Sequence, residues 1–135
     1  MTEANDRLVI LLKEVFGLKE FRPVQKQVID AVYRGEDTLA ILPTGGGKSL
    51  CYQVPGLAKE GICIVISPLI ALMKDQVDQL QANGVAATFL NSSLSEKERK
   101  ARWRGLHQGE FKLLYLSPER LMIGEGSLFD ALRQW

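Results

Sequence analysis

The 135-residue sequence is short of histidine, cysteine and net charge, and each shortage removes a class of function. With His107 as the single histidine, neither a histidine metal cluster nor a histidine-based triad can be assembled, and His107 reads as a surface or capping residue. Cys51 and Cys63 are too few for a disulfide framework and lack zinc-site spacing. Both read as small buried hydrophobes in a reduced compartment. Seventeen basic against sixteen acidic residues leave a net charge of +1, so no global field attracts a polyanion. Any nucleic-acid reading must rest on local motifs. The longest apolar run, Ile62 to Ile66, is far too short to cross a bilayer. The opening MTEANDRLVI carries acid early and no long apolar stretch, so no signal peptide is visible. A cytoplasmic protein with no membrane partner is expected. Repeats, low-complexity runs and linker-like stretches are also missing, which predicts one domain over residues 1–135.

What is present alternates helices with short apolar strands. Leu8, Leu11, Leu12, Val15 and Phe16 have helical spacing, and Gly17 ends that helix. Pro23 suits a first helical turn, with Val24, Val28, Ile29 and Val32 on one face and Gly35 as the stop. An apolar run from Thr38 to Leu42 predicts a strand, followed by a glycine-rich turn and a helix from Ser49 to about Ala58. Ile62–Ile66, Val85–Leu90 and Phe111–Leu116 predict three more strands. Between them, Pro68 opens a helix with Leu69, Leu72, Met73, Val77 and Leu80 on one face, ended by Asn83-Gly84. Ser95 with Glu98 has the capping-box spacing for a basic helix running to about His107. Pro118 starts a short helical stretch, and a last helix is predicted over 127–135. Continuous apolar strands alternating with amphipathic helices specify an α/β fold with a parallel sheet covered on both faces. Such sheets bind ligands at the carboxyl ends of their strands, where the candidate sites fall.

The strongest local motif is Leu42-Pro43-Thr44-Gly45-Gly46-Gly47-Lys48-Ser49, between a strand and a helix. Glycines at 45–47 let backbone N–H groups turn around phosphate oxygens without Cβ obstruction. The helix N-terminus adds its dipole at the same spot. Lys48 then reaches the β- and γ-phosphates of a nucleotide, and the Ser49 hydroxyl is placed to ligate Mg²⁺. Leu42 stands where the common phosphate motif has its first glycine, a departure that superfamily 2 helicases tolerate. The competing reading is a flexible glycine turn with a solvated lysine, which the flanking strand and helix disfavour.

With these residues in view, nearly the whole chain resembles the RecQ family of ATP-dependent DNA helicases. Phe16-Gly17, Phe21-Arg22-Pro23 and Gln25 resemble its adenine-recognition segment, about residues 16–25. LPTGGGKSLCYQ (42–53) resembles its phosphate motif, VISPLIALMKDQ (65–76) the next motif, and LLYLSPERL (113–121) a later one. The resemblance implies the first part of a RecA-like motor domain, truncated before the strand that carries an Asp-Glu-Ala-His block. It implies ATP and Mg²⁺ as ligands, with Arg22, Gln25, Thr44, Gly45, Gly46, Gly47, Lys48 and Ser49 binding nucleotide, Lys48 as the catalytic group and Ser49 as the metal ligand. Gln25 would pair with the adenine edge, since an amide offers both donor and acceptor, and Arg22 would pack its guanidinium on the purine face. Leu18 stands where many relatives have an aromatic.

The resemblance also implies that loops at strand ends track single-stranded DNA through its phosphates, without reading sequence. Ser67, Asn91 and Arg120 are the candidate contacts, from Ser67-Pro68-Leu69, Asn91-Ser92-Ser93 and Ser117-Pro118-Glu119-Arg120. Helix capping is the plainer role for these residues. Lys97, Arg99, Lys100, Arg102 and Arg104 make a basic stripe beside Trp103, best read as a solvated helix face with its tryptophan tucked under. Phosphoryl transfer also needs a metal-binding carboxylate, a group to orient water and an arginine. No Asp-Glu-Ala-His tetrapeptide occurs in the 135 residues. Three readings compete: a truncated or partly represented helicase, a nucleotide-binding module that does not turn ATP over, and an inactive fragment. An RNA helicase of the same superfamily is a rival that TGGGKSLCYQ and SPLIALMKDQ disfavour. The first is preferred for the parent activity, 3′-to-5′ unwinding of single-stranded and partly duplex DNA by a monomer in recombination and repair. The isolated chain is expected neither to hydrolyse ATP nor to unwind.

Overall fold

The computed structural model describes residues 3–43 and 47–122. The chain divides into two compact units, Met1–Glu60 and Gly61–Trp135.

The first unit is helical. Its elements are α1 (Glu3–Phe16), α2 (Pro23–Tyr33) and α3 (Leu50–Ala58). Leu8, Leu12, Ile29, Val54 and Ala58 form its core, with Leu11, Phe16, Phe21, Tyr33 and Leu50 packed around them. Gly17 ends α1 at φ +68°. Its N–H donates to Lys13 O, the single bond of a left-handed glycine cap, and the Leu18 N–H reaches back to Leu12 O. Pro23 occupies the first turn of α2, as expected. The inward face of α2 differs from the apolar pattern: Gln25 and Ile29 are buried, while Val24 is 49% exposed. One residue is about 100° of helix rotation, so a stripe centred on 25 and 29 turns 24 outward.

The strand expected over Thr38–Leu42 is not formed among the described residues. Leu39 is 89% and Ile41 86% exposed. A strand exists through its ladder, and this segment has the strand-like composition without a partner.

The second unit holds β1 (Cys63–Ile66), α4 (Ile70–Ala82), β2 (Ala87–Leu90), α5 (Glu96–His107), β3 (Leu113–Leu116) and α6 (Pro118–Met122). The strands form a parallel sheet in the order β1-β3-β2, with Cys63 and Ala87 both level with Leu113. The connection from β1 to β2 passes over β3, and the one from β2 to β3 returns. Right-handed crossovers in opposite directions place α4 and α5 on opposite faces. Met73, Val77 and Leu80 are the buried residues of α4. On the other face Leu90, Leu114 and Leu116 pack with Leu106 of α5, flanked by Ile62, Ile64, Trp103 and Phe111. Every residue of β2 and β3 is buried, giving the both-faces-covered sheet expected of a parallel fold. Leu69 and Leu72, expected on the buried face of α4, are 56% and 49% exposed. The helix begins at Ile70, and its inward stripe is 73, 77 and 80. The helix predicted over 127–135 lies outside the described residues.

Candidate functional sites

The nucleotide candidates belong to the first unit. Gln25, one turn into α2, is 4% exposed. Its Oε1 accepts from the Arg22 N–H at 2.9 Å, which satisfies a donor left over at the helix start. Its Nε2 donates to Gly47 O at 3.2 Å. The residue expected to read a base therefore also holds the end of the glycine-rich turn, 22 residues further on. Gly47 has φ +76°, and a Cβ there would lie 1.9 Å from Gln25 Nε2. Both the backbone conformation and the close approach require glycine. Cys51 Sγ lies 3.8 Å from the same carbonyl, and burial pushes its thiol pKa up. The sequence reading treated Cys51 as core alone and missed this contact.

Lys48 is exposed. Ser49 stands directly before α3 with αR backbone angles, φ −61° and ψ −38°, and its carbonyl accepts from Gln53 N at 2.9 Å. Glycine at positive φ, an exposed lysine and a hydroxyl at a helix start are the parts a phosphate cradle needs. The donor chemistry of these residues fits a nucleotide with its Mg²⁺: Ser49 would offer one oxygen ligand, and Mg²⁺ usually keeps several waters besides. Among the described residues no group of three or more His, Cys, Asp or Glu side chains is placed to hold a metal. Thr44, Gly45 and Gly46 lie outside the described residues. Arg22 is exposed at the start of α2, on the same turn as Gln25.

The second unit carries the three polar strand ends. Ser67 follows β1; its N–H donates to Leu116 O at 2.9 Å, and its Oγ accepts from the Leu69 N–H at 3.2 Å. Asn91 follows β2 and is 4% exposed, its side chain turned inward where a direct contact was expected. Oδ1 accepts from both Ser93 N and Ser93 Oγ, while Nδ2 lies 3.5 Å from Met73 Sδ. Ser92 and Ser93 are exposed. Ser117 follows β3, buried, and its carbonyl accepts from the Arg120 N–H at 3.1 Å. Arg120 is half-buried in α6.

The basic stripe of α5 is mixed in use. Arg102 places its guanidinium 4.3 Å over the Phe89 ring and donates to Phe89 O at 2.6 Å. Burial lowers the Arg102 pKa, against the attraction of Glu98. Trp103 packs against the core beneath α5, as the plainer sequence reading expected, with its ring 5.9 Å from that of His107. No helix among the described residues is long and apolar enough to cross a membrane.

The family model described as DEAD/DEAH box helicase matches residues 22–133. The "ATP-dependent DNA helicase RecQ" of Haemophilus influenzae is 54% identical over 112 residues, covering 83% of this chain and 18% of the relative. The protein of the same description from Bacillus subtilis is 51% identical over 112 residues, with 82% and 19% covered. The "ATP-dependent DNA helicase Q1" of Rattus norvegicus is 43% identical over 113 residues, with 82% and 18% covered. The chain thus spans 18–19% of the length of these relatives. Among solved structures, a hypothetical ATP-dependent RNA helicase from Sulfolobus tokodaii superposes with a TM-score of 0.69 at 20% identity, over 91% of this chain and 37% of that one. The DUF1998 helicase MrfA, solved bound to DNA, gives 0.70 at 22% identity, over 90% and 18%. These two likenesses show the fold, a RecA-like helicase domain. The family match runs across the Gln25–Gly47 turn and all three polar strand ends, so the chain belongs to the DEAD/DEAH box helicase family, with RecQ helicases among its relatives.

Proposed function

We propose that this chain carries the ATP-binding part of a RecQ-type DNA helicase motor, one that moves 3′-to-5′ along DNA in recombination and repair. The whole protein would act as a cytoplasmic monomer on single-stranded and partly duplex DNA. The observation that carries the reading is the hydrogen bond from Gln25 Nε2 to Gly47 O. It joins a base-reading amide to a phosphate-binding turn. An amide has two lone pairs and two N–H groups, so the bonds to Arg22 N and Gly47 O use half its capacity. The other half matches the donor and acceptor on an adenine edge. Arg22 packs its guanidinium plane on the purine. Thr44, Gly45, Gly46 and Gly47 supply backbone N–H groups to the phosphates, Lys48 the cationic contact, and Ser49 the hydroxyl toward Mg²⁺. The metal, when bound, neutralises phosphate charge. Phosphates of a single DNA strand run past Ser67, the Asn91 loop and Arg120.

Calorimetry tests the nucleotide half. Mg-ATP should bind weakly to the chain, binding should vanish in Lys48→Ala, and ATP should bind tighter than GTP. Equal affinity of wild type and Lys48→Ala removes Lys48 from the site, and equal affinity for ATP and GTP removes Gln25.

A further inference from the structure

We propose that Asn91 is a positioning residue for single-stranded DNA, which shapes the loop after β2 so that Ser92 meets a phosphate. The inference rests on the reading of these strand ends as a DNA edge, and assigns Asn91 a role through another residue. Asn91 is buried with its oxygen turned to Ser93 and its Nδ2 to Met73 Sδ, so the amide is directed into the protein and not at a phosphate. Its Oδ1 takes both donors of Ser93, the N–H at 2.9 Å and the hydroxyl. Ser93 therefore has no proton left to offer a phosphate oxygen, which only accepts. Ser92 is exposed, and its hydroxyl makes no hydrogen bond among the described residues. An Asx-type turn closed on residue 93 thus leaves 92 as the donor that faces water.

The second end of the amide explains why asparagine stands here. Nδ2 points at Met73 Sδ, 3.5 Å away, and Met73 is 1% exposed in the inward stripe of α4. That helix begins just after the Ser67–Leu69 turn. One buried side chain therefore fixes the loop after β2 and ties it to the helix that follows the loop after β1. Both loops belong to the proposed DNA edge, and Asn91 sets their spacing. An aspartate would keep the oxygen that accepts both Ser93 bonds but lose the donor to sulfur, and would bury a charge. A serine would keep an acceptor on a shorter side chain, too short to hold Ser93 and reach Met73 Sδ together.

The test is fluorescence anisotropy of a labelled oligothymidylate at low salt, where phosphate contacts weigh most. Asn91→Ala and Ser92→Ala should each weaken binding by about three- to tenfold, the range one neutral hydrogen bond spans. The double variant should bind no worse than the weaker single one, because both remove the same contact. Exchange at the Ser93 amide should also quicken in Asn91→Ala while far-UV circular dichroism stays unchanged. Wild-type affinity in Asn91→Ala, or losses that multiply in the double variant, would overturn the assignment. Should Asn91→Ala not fold, Asn91→Ser serves: a smaller loss is expected, and unchanged affinity overturns the proposal. Ser67→Ala and Arg120→Ala separate the two levels. If they weaken binding while Asn91→Ala does not, only the positioning role fails. If none of the variants weakens binding, the DNA edge itself fails and the proposal falls with it.

Discussion

At the scale of single residues, the proposed nucleotide site turns on the contact between Gln25 and Gly47. The sequence offered both positions as candidates but as separate binders, because a bond across 22 residues has no local pattern. The burial of Gln25 was hidden for a related reason. A polar residue on the inward stripe looks like a surface residue until its partners, Arg22 N and Gly47 O, are known. Gly47→Ala tests the contact. The residue sits at φ +76°, where a side chain costs about 1–2 kcal/mol. Its Cβ would also displace Gln25, forfeiting a further ~1 kcal/mol of hydrogen bonding. Gln25→Ala loses the bond without the backbone strain. The alanine at 47 should therefore lower the urea midpoint more than the alanine at 25, and both should weaken ATP binding. A Gly47→Ala protein as stable as wild type would mean that the turn re-forms without a positive φ.

At the scale of elements, most of the fold was legible because helices announce their ends. Gly17, Pro23, Asn83-Gly84 and the Ser95/Glu98 pair mark boundaries by local chemistry, and the structure places them as read. The three paired strands emerged one or two residues shorter than the apolar runs, since a ladder ends where its neighbour ends. The start of α4 was misplaced because Leu69 and Leu72 continue an apolar pattern on residues that face outward. The cap of α5 gives a pH test. Ser95 Oγ accepts from the Glu98 N–H at 3.1 Å, and Glu98 Oε1 accepts from the Ser95 N–H at 3.0 Å. These bonds to Ser95, backbone first, lower the Glu98 pKa below its ordinary value. A carboxylate whose pKa is depressed by folding stabilises above its unfolded pKa, and that contribution is lost as pH falls through the folded one. The cap should therefore weaken in acid, from about pH 4.5 downward. Glu98→Gln keeps an acceptor oxygen but cannot titrate. Its thermal midpoint should fall less than that of wild type between pH 6 and pH 3, and parallel curves would show that the capping carboxylate does not contribute.

At the scale of the whole molecule, the two kinds of strand-like edge are treated in opposite ways. In the parallel ladder, Ala86 and Leu90 direct their carbonyls to β3, so those of Ala87 and Phe89 point to the open side of β2. Gln81 Nε2 donates to Ala87 O at 2.9 Å and Arg102 Nη1 to Phe89 O at 2.6 Å. Side chains close that edge against another chain. Among the described residues nothing comparable protects 38–42, where Leu39 and Ile41 stand 89% and 86% exposed. Burying two such side chains is worth roughly 3–6 kcal/mol, comparable with the net stability of a whole domain, about 5–15 kcal/mol. The chain spans 18% of the length of its Haemophilus influenzae relative. Taken alone, the protein should be marginally stable and should self-associate with rising concentration, because an exposed apolar strand recruits other chains. Hydrogen exchange checks this directly. Amides of residues 38–42 should exchange at rates close to those of an unfolded peptide, while those of β3, paired on both sides, should be protected up to global unfolding. Slow exchange across 38–42 in a monomeric sample would mean that the segment finds its own partner within these 135 residues, and a self-sufficient nucleotide-binding module would then describe the chain better than part of a motor.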